Sequence, residues 1–349
     1  MHDLRRTLGE AVAGCAAEVR FDEPLAQHTT FRIGGPADAW VRANDRQALV
    51  RVLQFCRATG VRWWLLGRGS NVLVSDQGLR GIVIGLGGEL AAVRVQESRD
   101  GGQGTVEVEF KVQNADCKMQ KERGQAVVMR AGAGAALDEV VTVAEKAGLV
   151  GVEFLAGIPG TIGGGLHSNA GAFGRSLGDV VASVTVVDRD GNERELTGAE
   201  LRREYRQPMI DDGLVAIEVT MELLRGEPEP AARIREQRWA KHPKEPSAGS
   251  FFRNPETGDR GRGTGVGGRM PAGKLIDQCG LKGKAVGGAK VSEKHANFLV
   301  NAGGARFVDV YELAQVVKAR VEEETGILLE EEVQYLPGPD EGRRQKLQE

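Results

Sequence analysis

The chain has 349 residues, 41% of them hydrophobic and 27% charged, with a formal net charge of −3. That length exceeds one ordinary core, so two or three domains are expected. There is no basic surplus, no apolar run of the roughly 18–20 residues that cross a bilayer, and no secretory leader after Met1-His2-Asp3-Leu4-Arg5-Arg6. Nucleic acid and membrane are therefore not expected partners, and the cytoplasm is the expected compartment. The cysteines (Cys15, Cys56, Cys117, Cys279) are far apart with no CxxC, and the five histidines form no HExxH cluster. Neither a zinc site nor a disulfide framework is expected. Glycine, at 49 residues, is the outlier, and it falls inside apolar sequence where backbone turns or approaches a ligand closely.

In chain order, Phe31–Val41 reads as extended. Residues 45–58 form a helix, with Leu49, Val52, Leu53 and Cys56 at i, i+3, i+4 and i+7, Asn44 as cap and Gly60 as stop. Arg62–Leu66 reads as a buried strand that runs into a glycine loop, and Val72–Val74 resumes the apolar pattern. Thr105–Val112 alternates as a half-buried strand, Leu137–Ala147 is a helix and Val181–Val187 a strand. Asp190-Gly191 turns the chain into Glu193–Leu196, and Val215–Leu223 is another strand. Arg225–Pro230 is a polar, proline-bearing linker to a final domain with helices Ala231–Ala240 and Val308–Glu323 and a last strand, Ile327–Leu336. The tail from Pro337 is charged and expected to be disordered. The irregular mixture of elements indicates α+β.

Three motifs carry chemistry. In Leu66-Gly67-Arg68-Gly69-Ser70-Asn71, successive N–H groups of a glycine turn can form an anion cradle, to which Ser70 and Asn71 add donors. No GK[ST] follows, so it is not a phosphate loop of the nucleotide-triphosphate kind. A strand comes next, so it is not the dinucleotide fingerprint either. On its own it reads equally as a tight turn. Gly157-Ile158-Pro159-Gly160-Thr161-Ile162-Gly163-Gly164, followed by Asn169-Ala170-Gly171, sets backbone donors beside small apolar surfaces. That combination suits a flat ring with a polar edge and a diphosphate tail, or else a plain bend between strands. Two such loops in one chain favour a flavin dinucleotide.

The third motif is Ala248-Gly249-Ser250-Phe251-Phe252-Arg253-Asn254-Pro255. Ser250 lacks the second glycine of GxSxG, so it reads as a proton donor or a structural turn serine rather than an acyl nucleophile. Tyr205-Arg206 offers a guanidinium that can fork onto a carboxylate, or an ordinary surface arginine. Glu332 ends the run Glu330-Glu331-Glu332, where period-2 alternation puts Glu330 and Glu332 on one face with Leu328, opposite Glu331. A solvated edge strand is the plain alternative.

The order of His28–Gly35, the LGRGSN loop, GIPGTIGG with NAGA, Tyr205-Arg206, AGSFFRNP, Ala272–Asp277, Leu281–Gly283 and Val291–Phe298 resembles the UDP-N-acetylenolpyruvoylglucosamine reductase (MurB) family, from about residue 25 to about 336. The resemblance implies an FAD-binding part of the vanillyl-alcohol-oxidase/p-cresol-methylhydroxylase type, with subdomains at 1–77 and 78–225. It also implies an α+β substrate domain at 226–326, with the strand at 327–336 able to return to the first subdomain and a tail at 337–349. NADPH would reduce FAD, and the enolpyruvyl UDP-sugar would take a hydride from flavin N5 at its vinyl carbon. Ser250 would protonate the adjacent carbon, while Arg206 and Glu332 would stabilise the enolate-like intermediate. A fixed guanidinium suits the charge that grows on the substrate carboxylate, and Glu332 would donate a hydrogen bond if burial raised its pKa.

The same resemblance assigns flavin contacts to Thr30, Arg32, Gly34, Gly35, Gly67, Arg68, Gly69, Ser70, Asn71, Gly157, Ile158, Pro159, Gly160, Thr161, Gly163, Gly164, Asn169, Ala170 and Gly171. It assigns substrate contacts to Tyr205, Lys241, Asn254, Lys274, Lys282 and His295, in a monomer. The chain departs from the family pattern at Gln334, where many members carry arginine, and at His167-Ser168. It also has a polar insert at about 96–126 and a glycine-arginine loop at Gly258–Gly268. No tyrosine lies between Arg206 and Ser250, as in the short form of the family. The rival readings are an FAD-dependent alcohol oxidase of the same superfamily, with His28 the only histidine near the first loops, and a sugar-nucleotide-binding protein without catalysis.

Overall fold

The computed structural model describes residues 2–96, 105–109, 121–256 and 269–338. Most of the 96–126 insert, the Gly258–Gly268 loop and the tail beyond residue 338 lie outside the described residues. The chain folds as two compact units, each discontinuous in sequence. One comprises Met1–Phe21, Asp38–Gly67 and Gly81–Arg238, and the other Asp22–Ala37, Arg68–Arg80 and Trp239–Glu349.

In the first unit the helix Arg46–Thr59 forms where its spacing predicts, burying Leu49, Val52, Leu53 and Cys56. Its cap is Asp45 rather than Asn44. Asp45 Oδ1 accepts the Ala48 N–H at 2.6 Å and Oδ2 the Ala16 N–H at 2.9 Å, so one carboxylate serves two main-chain donors. Gly60 ends the helix at φ 73°. This helix packs in one core with Leu8 and Val12, at and beyond the end of an N-terminal helix His2–Ala11 that the sequence reading did not anticipate. Strands Ala17–Pro24, Pro36–Ala43, Leu79–Leu86 and Trp63–Leu65 make a four-stranded sheet in that order. Trp63–Leu65 is half-exposed rather than buried, and Phe31–Gly35 is irregular, so the predicted extended run begins only at Pro36.

A larger antiparallel sheet runs Glu193–Thr197, Val181–Val187, Val215–Arg225, Lys121–Gly132, Val93–Gln96. Val181–Val187 pairs with Glu193–Thr197 across the Asp190-Gly191 turn, as expected. Thr105–Glu109 pairs with Lys121–Gly132. The helix Leu137–Lys146 buries Leu137, Val140, Val141 and Ala144 in the same core as this sheet.

The second unit is organised by the helix Phe307–Thr325, whose Val310, Leu313, Ala314, Val317 and Val321 fall on one face and are buried. Asp309 anchors its start by accepting the Arg306 N–H at 3.0 Å and the Gly288 N–H at 3.2 Å. These bonds, the Arg306 bond first, hold the Asp309 carboxyl below the usual carboxylate range. Around the helix lie the three-stranded sheet Ala285–Val286, Ala289–Val291, Leu299–Asn301 and the short helix Ala272–Gln278. The expected strand Ile327–Leu336 is shorter. Only Gln334–Leu336 is strand, paired in parallel with Val72–Val74, and Glu331 makes an isolated bridge to Phe252. Leu328 is exposed while its neighbour Leu329 is buried, the alternation that extended chain gives. No helix among the described residues is long and apolar enough to cross a membrane, and none of their His, Cys, Asp and Glu side chains form a metal-binding group.

Candidate active site

Ser250 sits at the head of a buried aromatic pair in the second unit. Phe251 and Phe252 are 0% and 1% exposed, so this stretch of main chain cannot be solvated and must find partners inside the protein. The Phe251 N–H donates to Asn297 O at 2.7 Å, and Phe252 N–H donates to Asn297 Oδ1 at 3.0 Å. Asn297 Nδ2 in turn donates to Phe252 O at 2.9 Å. On the other side the Glu332 N–H donates to Phe251 O at 2.8 Å, and the Arg253 N–H to Glu330 O at 2.9 Å. Glu332 thus bonds to the residue that follows Ser250, although Ser250 and Glu332 are 82 residues apart in sequence. Both are half-buried. Glu331 faces elsewhere, ion-paired with Lys318 at 3.0 Å.

The first glycine loop braces the same ladder. Asn71 Nδ2 donates to Glu332 O at 3.1 Å and Asn71 O accepts the Gln334 N–H at 3.0 Å. The amide expected to face a ligand is therefore holding the Glu332 main chain. Thr30 Oγ1 donates to Ser247 O at 2.6 Å, and the Thr30 N–H to Gly69 O at 3.2 Å. Gly69, at φ 58°, lies so close to His28 O and Thr29 Cα that no side chain fits there. Arg32 is exposed and also left-handed, at φ 56°; strained non-glycine backbone of this kind clusters at functional sites. His28 Nε2 lies 2.8 Å from Glu23 Oε1.

The residues assigned to substrate in this unit differ in their freedom. Lys241 and Lys274 are exposed, whereas Lys282 Nζ donates to Asp277 Oδ2 at 2.8 Å. Asn254 Oδ1 accepts the Ala272 N–H at 3.0 Å, so its amide oxygen already has a main-chain partner. His295 packs against Phe298 and His242, with centroid separations of 4.9 and 6.0 Å. Burial holds its imidazole below the ordinary range, helped by the charge of Lys282.

In the first unit the Gly157–Gly164 loop starts a helix, Ile162–Ser168, capped by Thr161 Oγ1 accepting the Gly164 N–H at 3.2 Å. The donors of Ile162 and Gly163 are spent on Ala135 O and Ala133 O, at 2.9 and 2.7 Å. What the loop offers is thus bare surface, with Pro159 and Gly164 exposed. A Cβ on Gly67 would lie 2.5 Å from Thr161 Oγ1, so the two glycine loops touch where no side chain fits. Asn169 is buried and left-handed. Its Nδ2 donates to Arg203 O and Glu204 O at 2.9 and 3.2 Å, and its Oδ1 accepts the Gly178 N–H at 2.9 Å. It thereby fixes the segment before Tyr205-Arg206. Arg206, at φ 56°, donates to Asn169 O and Gly171 O at 3.4 and 3.5 Å and lies 5.0 Å over the exposed Tyr205 ring. Sequence reasoning missed Asn297, Arg235 and Arg238, whose hydrogen-bond partners are distant in sequence.

The lack of a side chain at Gly67, where the Thr161 side chain packs against it, together with the exposed, side-chain-free surface at Gly164, suits the close approach of a flat cofactor, so the residues present fit FAD. Residues 37–197 match the FAD binding domain family, and residues 241–336 match the UDP-N-acetylenolpyruvoylglucosamine reductase C-terminal domain. The UDP-N-acetylenolpyruvoylglucosamine reductase of Heliobacterium modesticaldum is 37% identical over 320 residues, covering 90% of this chain and 89% of that protein. The reductase of Moorella thermoacetica is 38% identical over 338 residues, covering 95% of this chain and 98% of its own length. The crystal structure of the MurB enzyme of Thermus caldophilus superposes with a TM-score of 0.66 at 31% identity, over 92% of this chain and 99% of that one. Fold, flavin-binding segment and C-terminal segment agree, and the chain belongs to the UDP-N-acetylenolpyruvoylglucosamine reductase family of FAD-dependent oxidoreductases.

Proposed function

We propose that this chain reduces UDP-N-acetyl-3-O-(1-carboxyvinyl)-glucosamine to UDP-N-acetylmuramate with electrons from NADPH, a step of peptidoglycan precursor synthesis in the cytoplasm. The observation that supports the reading is the bond from the Glu332 N–H to the carbonyl of Phe251, the residue after Ser250, in a family whose members bear the reductase name. Residues 1–225 would hold the cofactor and residues 226–326 the sugar nucleotide. FAD, when bound, supplies the two-electron relay between nicotinamide and vinyl group.

The protein's own residues would do the rest. Reduction of the vinyl group places a hydride on its terminal carbon and needs a proton on the carbon that bears the carboxylate. Ser250 Oγ is the donor, and solvent restores its proton. Arg206, oriented by the Asn169 and Gly171 carbonyls, holds the carboxylate as negative charge grows on it. Glu332 completes the site from the ladder, its main chain fixed by Phe251 and Asn71. Lys241 and Lys274 meet the diphosphate as exposed point charges, and the Asn254 Nδ2 meets a carbonyl or hydroxyl of the substrate. His295 and Tyr205 complete the substrate contacts.

The test is rapid-mixing kinetics of Ser250→Ala, one half-reaction at a time. Bleaching of the flavin by NADPH should proceed at the wild-type rate. Reoxidation by the enolpyruvyl substrate should slow by about 10²–10⁴-fold, the usual worth of a positioned acid. Equal loss in both halves would remove Ser250 as the proton donor. Rapid reoxidation of the wild type by oxygen, with an alcohol as the electron source, would replace the reductase reading by an oxidase.

A further inference from the structure

The helix Ala231–Lys241 carries three arginines that the chemistry above does not use, and two of them, Arg235 and Arg238, close on the glycine loop of the first unit and its flank. Arg235 Nε donates to Asp138 Oδ1 at 2.8 Å and Arg235 Nη2 to Thr142 Oγ1 at 3.0 Å. The same Asp138 oxygen accepts the Gly157 N–H at 2.9 Å. Arg238 Nε and Nη2 donate to Ala156 O at 2.9 Å and Phe154 O at 3.0 Å, and its guanidinium lies 5.4 Å over the Phe173 ring. A helix arginine ordinarily keeps its head in water and buries only its stem. Arg238 instead turns its head inward onto these carbonyls, and burial lowers its pKa accordingly. Its two hydrogen-bond acceptors are main-chain carbonyls rather than a carboxylate, which makes it a fastening of backbone geometry.

What it fastens is specific. Phe154 and Ala156 lead directly into Gly157–Gly164, and Phe173 follows Asn169–Gly171. One guanidinium therefore touches the flank of both first-unit segments assigned to the cofactor, while Arg235 secures Gly157 through Asp138. We propose that Arg238, with Arg235 and Asp138, is a positioning group that pre-forms these two segments for FAD. A glycine-rich loop loses more conformational freedom on ordering than any other sequence, so a loop left loose would charge that cost to cofactor binding. This inference rests on the reading of Gly157–Gly164 and Asn169–Gly171 as FAD contacts.

The experiment reconstitutes apoprotein with FAD and follows flavin fluorescence for Arg238→Gln, Arg238→Lys, Arg235→Gln and Gly164→Val. A Cβ on Gly164 would meet Thr161 Oγ1 at 3.4 Å, an ordinary contact, so the last variant covers the bare surface, and its circular dichroism and melting curve check that it is folded. Arg238→Gln should bind FAD at least about tenfold more weakly, since two charge-assisted hydrogen bonds are lost. Arg238→Lys, which can reach one carbonyl, should recover part of that loss, and excess FAD should restore turnover. A wild-type affinity in Arg238→Gln, with binding abolished in Gly164→Val, overturns the fastening and keeps the loop as the cofactor site. Unchanged binding in Gly164→Val overturns the loop assignment itself. If Arg238→Gln does not fold, Arg238→Lys and Arg235→Gln decide, and unaltered FAD affinity in both refutes the proposal.

Discussion

Asn71 and Asn297 govern the ladder around Ser250 by satisfying main-chain groups that burial has cut off from water. Asn297 does this in both directions for Phe252, and its own N–H donates to His295 Nδ1 at 3.2 Å. That bond requires a neutral, accepting Nδ1 and agrees with a ring whose proton affinity burial has lowered. A histidine with a lowered folded pKa is protonated first in the unfolded chain. The unfolded state then binds more protons from the folded pKa up to the ordinary value near 6.5. This contribution is whole above that range and is lost as pH falls through it. Thermal unfolding followed from pH 8 to pH 5 should show the midpoint falling on acidification, with a shallower fall in His295→Gln. A variant that tracked the wild type in parallel would remove His295 as the source. Ser250, Arg206 and Glu332 can be singled out from the sequence because their motifs are local. The asparagine braces were not, because the groups they satisfy lie up to 261 residues away.

At the scale of elements, the amphipathic helices follow from spacing alone. Leu137, Val140, Val141 and Ala144, like Val310, Leu313, Ala314 and Val317, put one face into a core. Caps are less legible, since Asn44 and Asp45 are both good candidates and only the bonds to Ala48 and Ala16 choose Asp45. Asp45→Ala should destabilise the protein by about 1–2 kcal/mol, read as a lower denaturant midpoint at unchanged slope. Asp45→Asn should recover much of that loss. The helix Ile162–Ser168 was hidden for the opposite reason. Three glycines oppose helix by propensity, and it forms because Thr161 caps it and the Ala133 and Ala135 carbonyls take its first donors. The last strand is Gln334–Leu336 alone because only these residues find a ladder partner, in Val72–Val74, while the chain before them makes just the isolated Glu331 bridge to Phe252.

Across the whole molecule, cooperative opening can be read from Cys56, which is 2% exposed in the core of the first unit and whose thiol burial pushes up to about 12. A thiol reagent at pH 8 should leave Cys56 unmodified in the native protein, and its labelling should keep pace with unfolding as denaturant is added. Fast labelling without denaturant would mean that the helix Arg46–Thr59 opens locally. By itself the sequence determined which segments bury an apolar face and which short motifs carry chemistry, because periodicity and turn residues act over a few positions. Tertiary structure alone decided that the segment before Val333 shares a ladder with Phe251, that Asn71 braces Glu332, and that Arg238 turns inward onto the Phe154 and Ala156 carbonyls. Each is a polar group removed from water whose partner is set by packing between distant segments, and no local pattern in the sequence encodes that partner.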